Sequence, residues 1–243
     1  MNNIICSHKI PAEIEDNLIK LNLTPVKLQG FKNFGEINPM AYHPDMFCFN
    51  LGKNRWIFYD EIYEANRNII DKLNLDIIIE KSPQSCGYPH DVGLNAAMFG
   101  GNLICRVKYT NEKILEYARE YGKNIIDVKQ GYAKCSVCIV DENSVITSDV
   151  SIYNKICKKA PQNNINALLI TPGHIDLPGC GYGFIGGCSG LIKSDGKNLL
   201  AFTGDINLHP DREKIKDFCR GRGVEPVSLS GEKLRDYGSL FAV

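Results

Sequence analysis

The chain alternates short apolar runs with segments of helical spacing, in an order that repeats along its length. One copy has a β-like run at 102–109, a helical segment at 111–122 after Thr110, and a second β-like run at 124–129. Thr110 is the expected helix N-cap. This order predicts a strand, a crossover helix and a second strand parallel to the first.

The same order recurs along the chain, and each copy opens with one earlier strand. These first strands are expected to start at Met46, Ala97, Cys135 and Cys188. Self-similarity at a fixed period indicates a repeat architecture. Four ββαβ units are therefore predicted, at about 46–81, 95–129, 135–172 and 188–230.

The two ends of the chain supply a fifth unit. A strand at 2–8, a helix at 11–21 and a strand at 25–28 lack only a first strand, which residues 238–243 can provide. Pairing the two termini protects strand edges. We therefore predict an α/β fold, a five-bladed pseudo-symmetric ββαβ propeller. It forms one domain over 1–243, with its first unit built from 238–243 and 1–29.

The amino-acid composition limits the classes of partner that are expected. The 28 basic and 28 acidic residues cancel, so nothing indicates nucleic acid as a partner. The chain has no apolar run of the roughly 20 residues that span a bilayer, and its first residues do not resemble a signal peptide. A cytoplasmic location without a membrane partner is expected, with the ten cysteines as free thiols.

Five ββαβ units resemble the pentein family, which includes arginine deiminase, agmatine deiminase, dimethylarginine hydrolase and amidinotransferases. The sequence is similar above all to an uncharacterised bacterial group of this fold. The resemblance implies a central site where a Cys attacks a guanidinium carbon, a His transfers protons and carboxylates bind the cation. It implies a small cationic ligand and no organic cofactor.

By that resemblance, the site residues come from the loops after the last strand of each unit, at 30–45, 82–94, 130–134, 173–187 and 231–237. The candidate catalytic residues are Cys135, Cys188, His43, His90 and His174. The candidate substrate-binding residues are Glu36, Asp45, Asp91, Lys134, Asp176 and Asp236.

The chain departs from the family at two places. No cysteine stands at 236–239, the usual place of the nucleophile, and no histidine stands at 131–135, the usual place of the acid and base. A site rotated around the propeller leaves two alternatives. One combines Cys188 with His90 and either Asp45 or Glu36. The other combines Cys135 with His43 and either Asp236 or Glu232, and Lys134 would lower the pKa of Cys135.

Two other motifs are not predicted to bind a metal ion or a phosphate group. Cys135 and Cys138 have metal-knuckle spacing, but on a straight strand they point to opposite faces, so no metal site is predicted. The glycine-rich segment 179–187 lacks the features of a phosphate loop, and is expected either to let the backbone pass close to the propeller axis or to form a lid.

Two functions remain open from the sequence. The first is a hydrolase or transferase that acts on a guanidino or amidino compound through a cysteine. The second is a non-catalytic binding protein, comparable to the ribosome anti-association factor of the pentein fold.

Overall fold

The computed structural model describes residues 2–32, 38–84 and 87–243, and the strands in these ranges form five three-stranded sheets. The strands are β1 (Asn2–Ser7), β2 (Leu23–Leu28), β3 (Cys48–Gly52), β4 (Arg55–Tyr59), β5 (Asp76–Glu80), β6 (Ala97–Phe99), β7 (Asn102–Cys105), β8 (Asn124–Asp127), β9 (Val137–Asp141), β10 (Ser144–Thr147), β11 (Asn166–Leu169), β12 (Ser189–Ser194), β13 (Lys197–Phe202), β14 (Val224–Ser228) and β15 (Phe241–Ala242). The helices are α1 (Ala12–Lys20), α2 (Pro44–Phe47), α3 (Asp60–Ile70), α4 (Glu112–Glu120), α5 (Ala133–Ser136), α6 (Val150–Asn163) and α7 (Arg212–Arg220). The predicted α/β class is confirmed.

All five sheets share one strand order. In each, the middle strand pairs antiparallel with the first strand and parallel with the third. A long helix connects each parallel pair (α1, α3, α4, α6 or α7), because parallel strands need a crossover. None of the helices in the described ranges is long and apolar enough to cross a membrane.

The first sheet is completed by the far end of the chain. Strand β15 pairs antiparallel with β1, with Ile4 opposite Ala242 and Ile5 opposite Phe241. The expected pairing of the terminal strands is therefore present. Closure of the five sheets into one propeller ring stays a prediction.

Helix α4 confirms the predicted helical segment, but its N-cap is not the predicted residue. The N-cap is Asn111, whose side-chain oxygen accepts a hydrogen bond from the backbone N–H of Lys113 at 2.9 Å. The prediction of Thr110 was wrong, because its hydroxyl donates backwards to the carbonyl of Arg106 at 3.0 Å.

Two first strands begin later than predicted, since each is preceded by a single helical turn. Met46 lies in α2 and Cys135 lies in α5, and the strands β3 and β9 start only at Cys48 and Val137. The strand geometry assumed for Cys135 was therefore wrong. The closing strand is also shorter than predicted, because Ser239 has a φ of +72°, outside the extended region.

The first strands of all five sheets line one open cavity of about 540 Å³. Each contributes at least one apolar side chain to it, namely Phe49, Met98, Ile139, Leu191 and Phe241. Because one cavity joins all five sheets, residues at the starts of these strands come close together although they are far apart in sequence.

Candidate functional site

Seven buried polar side chains from distant parts of the chain meet beside the first strands. We call them the central polar cluster: His43, Asp45, Asn95, Lys134, Cys135, Asp236 and Ser239. Five of the seven were candidates from the sequence. Buried polar groups are costly unless they are paired, so a cluster of this size needs a structural or functional reason.

The single-turn helices place two members of the cluster. Asp45 lies in α2 and Cys135 lies in α5, and these helices precede β3 and β9 directly. Pro44 supplies the first residue of α2, a position that suits proline. The backbone N–H of Asp45 donates to the carbonyl of Gly238 at 3.1 Å, which ties this turn to the end of the chain.

Asn95 organises the turn that carries the cysteine. Its side-chain oxygen accepts from the backbone N–H groups of Lys134, at 2.8 Å, and Cys135, at 3.2 Å. Its amide nitrogen donates to the Cys135 sulfur at 3.1 Å. The thiol in turn donates to Oδ2 of Asp45 at 3.3 Å. Asn95 was not predicted as a site residue, although it stands only two residues before a predicted first strand.

Ser239 links the buried ammonium group to a buried carboxylate. Lys134 Nζ donates to the Ser239 hydroxyl at 2.9 Å and to the carbonyl of Gly186 at 3.3 Å. The hydroxyl donates to Oδ2 of Asp45 at 2.6 Å. Ser239 is 1% exposed and holds a positive φ, an uncommon conformation for a serine. Ser239 was also not predicted as a site residue. In the sequence, only its position after Gly238 indicated an unusual backbone conformation.

Asp236 is the second buried carboxylate of the cluster and lies next to His43. Its carboxylate accepts from the backbone N–H groups of Gly238 and Phe184, each at 3.0 Å, and its Oδ1 is 3.6 Å from His43 Nδ1. A Cβ at Gly187 would overlap this carboxylate, so no side chain fits there. The predicted passage of the glycine-rich segment close to a propeller axis stays a prediction.

Two buried atoms of the cluster have no hydrogen-bond partner. His43 Nδ1 and Asp45 Oδ1 make no hydrogen bond, although His43 is 3% and Asp45 is 1% exposed. A ring nitrogen of His43, a carboxylate oxygen of Asp45 and the Cys135 sulfur all lie within 4.8 Å of one another. Most buried polar atoms in proteins are hydrogen-bonded, so these two unsatisfied atoms are candidates for contact with a ligand.

The electrostatics of the cluster disfavour a free thiolate. Burial raises the pKa of Cys135 well above its usual value, and the negative charges of Asp45 and Asp236 raise it further. The predicted lowering of this pKa by Lys134 was wrong, because the ammonium group binds Ser239 instead. Burial also raises the pKa of Asp236, while His43 lowers it.

An open cavity of about 730 Å³ reaches His43 and Asp236 from outside. Tyr42, Tyr237, Lys9 and Arg235 line it further out. Lys9 Nζ lies 4.6 Å from the ring centre of Tyr42, and the Arg235 guanidinium carbon lies 5.3 Å from that of Tyr237. The cluster is therefore reached from this side through a mouth that carries two cationic groups.

The profile of DUF6873, a family of unknown function, matches residues 5–241. The chain belongs to this family. No curated protein matches this DUF6873 chain.

Three solved structures resemble the DUF6873 chain. The amidinotransferase SxtG of the saxitoxin biosynthetic pathway from Microseira wollei has a TM-score of 0.58 at 11% identity, over 95% of this chain and 88% of that one. DDAH from Pseudomonas aeruginosa, complexed with citrulline, has a TM-score of 0.49 at 9% identity, over 94% and 91%. The agmatine deiminase of C. jejuni has 0.48 at 10%, over 95% and 78%. The first likeness shows the fold, which is of the pentein type.

The other rotated site predicted from the sequence is not brought together in this DUF6873 chain. Cys188 is fully buried in an apolar cluster and its thiol donates to the carbonyl of Ile185 at 3.4 Å. His90 is exposed, and its ring lies against that of Tyr109 with 6.3 Å between centroids.

The remaining candidates that the structure describes are not members of the central polar cluster. His174 and Asp176 are exposed and line a cavity of only about 70 Å³ beside His209. Asp91 is buried and accepts from the hydroxyl of Tyr132 at 3.1 Å. Glu36 lies outside the described residues.

Proposed function

We propose that this chain is an enzyme that cleaves a C–N bond of a guanidino or amidino compound through a covalent intermediate on Cys135. His43 transfers protons, and Asp45 and Asp236 hold the cationic group. The five sheets would surround this site as the blades of a closed propeller. The observation that carries the proposal is the buried group of His43, Asp45 and Cys135, with their reactive atoms within 4.8 Å of one another.

The proposed chemistry has two steps. In the first, the Cys135 thiol gives its proton to His43 while its sulfur forms a bond to the guanidino or amidino carbon. One C–N bond of that carbon then breaks, and His43 passes the proton to the departing nitrogen, so that a neutral amine leaves. In the second step, water in a hydrolase or an acceptor amine in a transferase gives a proton to His43 and forms a bond to the carbon, while the C–S bond breaks and Cys135 leaves as the thiolate.

Binding of the cation is expected to activate the thiol. In the ligand-free protein the raised pKa of Cys135 keeps the sulfur protonated, because burial and two carboxylates oppose a further negative charge. A guanidinium beside Asp45 and Asp236 would add a positive charge that stabilises the thiolate. The reactivity of Cys135 should therefore depend on the ligand.

The mouth of the cavity indicates a ligand with two ends. Lys9 and Arg235 lie there, while His43 and Asp236 lie further in. A guanidino compound with a carboxylate at its far end would match both regions. A guanidino carboxylic acid is therefore expected to be a better substrate than the same compound with a neutral amide in place of the carboxylate.

The test is the alkylation rate of each cysteine, resolved by peptide mass spectrometry, with and without guanidino compounds. We expect Cys135 to react slowly in the free protein, and a mechanism-based chloroacetamidine reagent to label it in preference to the exposed Cys180. Product formation from a panel of guanidino acids should be lost in Cys135→Ser and kept in Cys180→Ser. Turnover that survives in a folded Cys135→Ser would refute the role of the thiol.

One observation favours the second candidate, a non-catalytic binding protein. Cys135 is 3% exposed and lines neither of the two cavities described above, so a ligand reaches it only after a rearrangement. The binding function is the correct one if three results are found together: guanidino compounds bind, the reagent leaves Cys135 unlabelled, and no product forms.

A further inference from the structure

The same buried group has the composition of a metal site. We propose that His43, Asp45 and Cys135 bind a thiophilic divalent ion, with Zn²⁺ as the best match, and that this ion competes with the guanidino ligand. The metal site does not rest on the proposed enzyme activity. It needs only the three side chains and the space among them.

The geometry is close to that of a bound ion. In a tetrahedral zinc site, Zn–S and Zn–N or Zn–O bonds of about 2.3 Å and 2.0–2.1 Å place neighbouring ligand atoms about 3.3–3.6 Å apart. The three candidate ligand atoms lie within 4.8 Å of one another, and Cys135 Sγ is already 3.3 Å from Asp45 Oδ2. Small side-chain movements would therefore complete the site. In the described part of the chain, this is the one group of three such residues that meets this distance.

Two of the three residues also have a buried polar atom that makes no hydrogen bond. These atoms are His43 Nδ1 and Asp45 Oδ1. Leaving such atoms unpaired is unfavourable, and a bound ion would give His43 and Asp45 a further partner. Unsatisfied atoms on two of the ligating residues are a stronger indication than the residue types alone.

The charges also favour a bound cation. The buried carboxylates of Asp45 and Asp236 share the cluster with one permanent positive charge, the Lys134 ammonium, which already binds Ser239. A bound cation would balance this excess of negative charge. A divalent ion with one carboxylate, one thiolate and a neutral imidazole forms a neutral unit, which suits a buried position.

The ligand set selects the class of ion. A sulfur, an imidazole nitrogen and a single carboxylate suit Zn²⁺ and its spectroscopic substitute Co²⁺, whereas Mg²⁺ and Ca²⁺ prefer oxygen ligands alone. Three protein ligands leave a fourth position for water. On binding, the Cys135 thiol loses its proton to the solvent and its sulfur lone pair forms the bond to the ion.

Co²⁺ titration of the reduced, chelator-treated protein tests the site without any assay of catalysis. We expect a thiolate-to-cobalt charge-transfer band that saturates at one ion per chain and disappears when Zn²⁺ is added. Cys135→Ser should lose the band, and Asp45→Asn should weaken binding by about tenfold or more. Cys180→Ser is the matched control, because Cys180 is an exposed cysteine near His174, and it should keep the band.

Calorimetry in buffers of different protonation enthalpy gives a second measure that needs no variant. At least one proton should leave the wild-type protein per Zn²⁺ bound. Absence of the band, its loss in Cys180→Ser instead of Cys135→Ser, or binding without proton release would each overturn the metal site. None of these results would bear on the enzyme proposal, which fails separately if Cys135 is dispensable for turnover.

Discussion

The buried lysine offers the sharpest test of how the central polar cluster is held together. Replacing Lys134 by Met keeps the length and much of the volume of the side chain but removes its charge. Lys134 is 8% exposed, and its ammonium donates to Ser239, which donates to Asp45. In the variant, the carboxylates of Asp45 and Asp236 remain buried without a permanent positive charge beside them.

The expected cost follows from this geometry. Removing one partner of a buried charge pair destabilises proteins by about 3–5 kcal/mol. The contact between Lys134 and Asp45 runs through a hydroxyl and Met refills most of the space, so we take the lower end, about 3 kcal/mol. For a chain of this size, that is a fall in melting temperature of about 6–12 °C.

Urea unfolding at pH 7, followed by far-UV circular dichroism, measures the change in the free energy of unfolding. The double variant Lys134→Met, Asp45→Asn removes the orphaned charge together with its partner and should regain about half of the loss. Lys81→Met is the matched control, because Lys81 binds Asp60 at a similar distance, 2.8 Å, with a 95% exposed side chain. We expect no measurable change in this control.

Two results would refute the reasoning. If Lys134→Met loses less than about 1 kcal/mol, the buried charges do not depend on this ammonium. If the double variant is as unstable as the sum of the single ones, Lys134 and Asp45 do not interact.

Three further predictions concern residues around the cluster. Asn95→Ala leaves two buried backbone N–H groups on the Cys135 turn unpaired and should cost about 3 kcal/mol in urea unfolding; a loss below about 1 kcal/mol would contradict the role of Asn95. Gly187→Ala should lower the melting temperature sharply because its Cβ would overlap Asp236, whereas Gly181→Ala in the same segment meets nothing within 4 Å and should be tolerated; equal effects would argue against this packing. Burial raises the pKa of Asp91, so its charged form opposes folding once the pH passes its folded pKa. Asp91→Asn should therefore gain stability relative to the wild type as pH rises from about 4 to 7, and a constant difference across this range would contradict the raised pKa.

Much of the architecture could be predicted because it is encoded locally. Strands and helices space their apolar residues differently, and a few positions are enough to tell the two patterns apart. The repeated order of strands and helices could therefore be predicted without the structure. The pairing of the first and last strands followed from the missing strand of one unit, and Ile4 opposite Ala242 confirms it.

The single-turn helix around Cys135 was not predictable in the same way. Four residues cannot sustain a helix alone, because nucleation is unfavourable. Two backbone N–H groups of this turn, those of Lys134 and Cys135, are satisfied by the side chain of Asn95, about 40 residues earlier in the chain. Local spacing therefore indicated a strand, and a tertiary contact decided otherwise.

The choice of site residues shows the same division. The sequence by itself determined the candidates, because His43, Asp45, Lys134 and Asp236 lie in segments that the repeat places between units, and Cys135 directly follows one of these segments. It did not decide between Cys135 and Cys188, since pseudo-symmetry gives both the same place in their units. Only the tertiary structure separated them: the polar side chains of Asn95 and Asp45, distant in sequence, hydrogen-bond the Cys135 sulfur, whereas Cys188 lies in an apolar cluster.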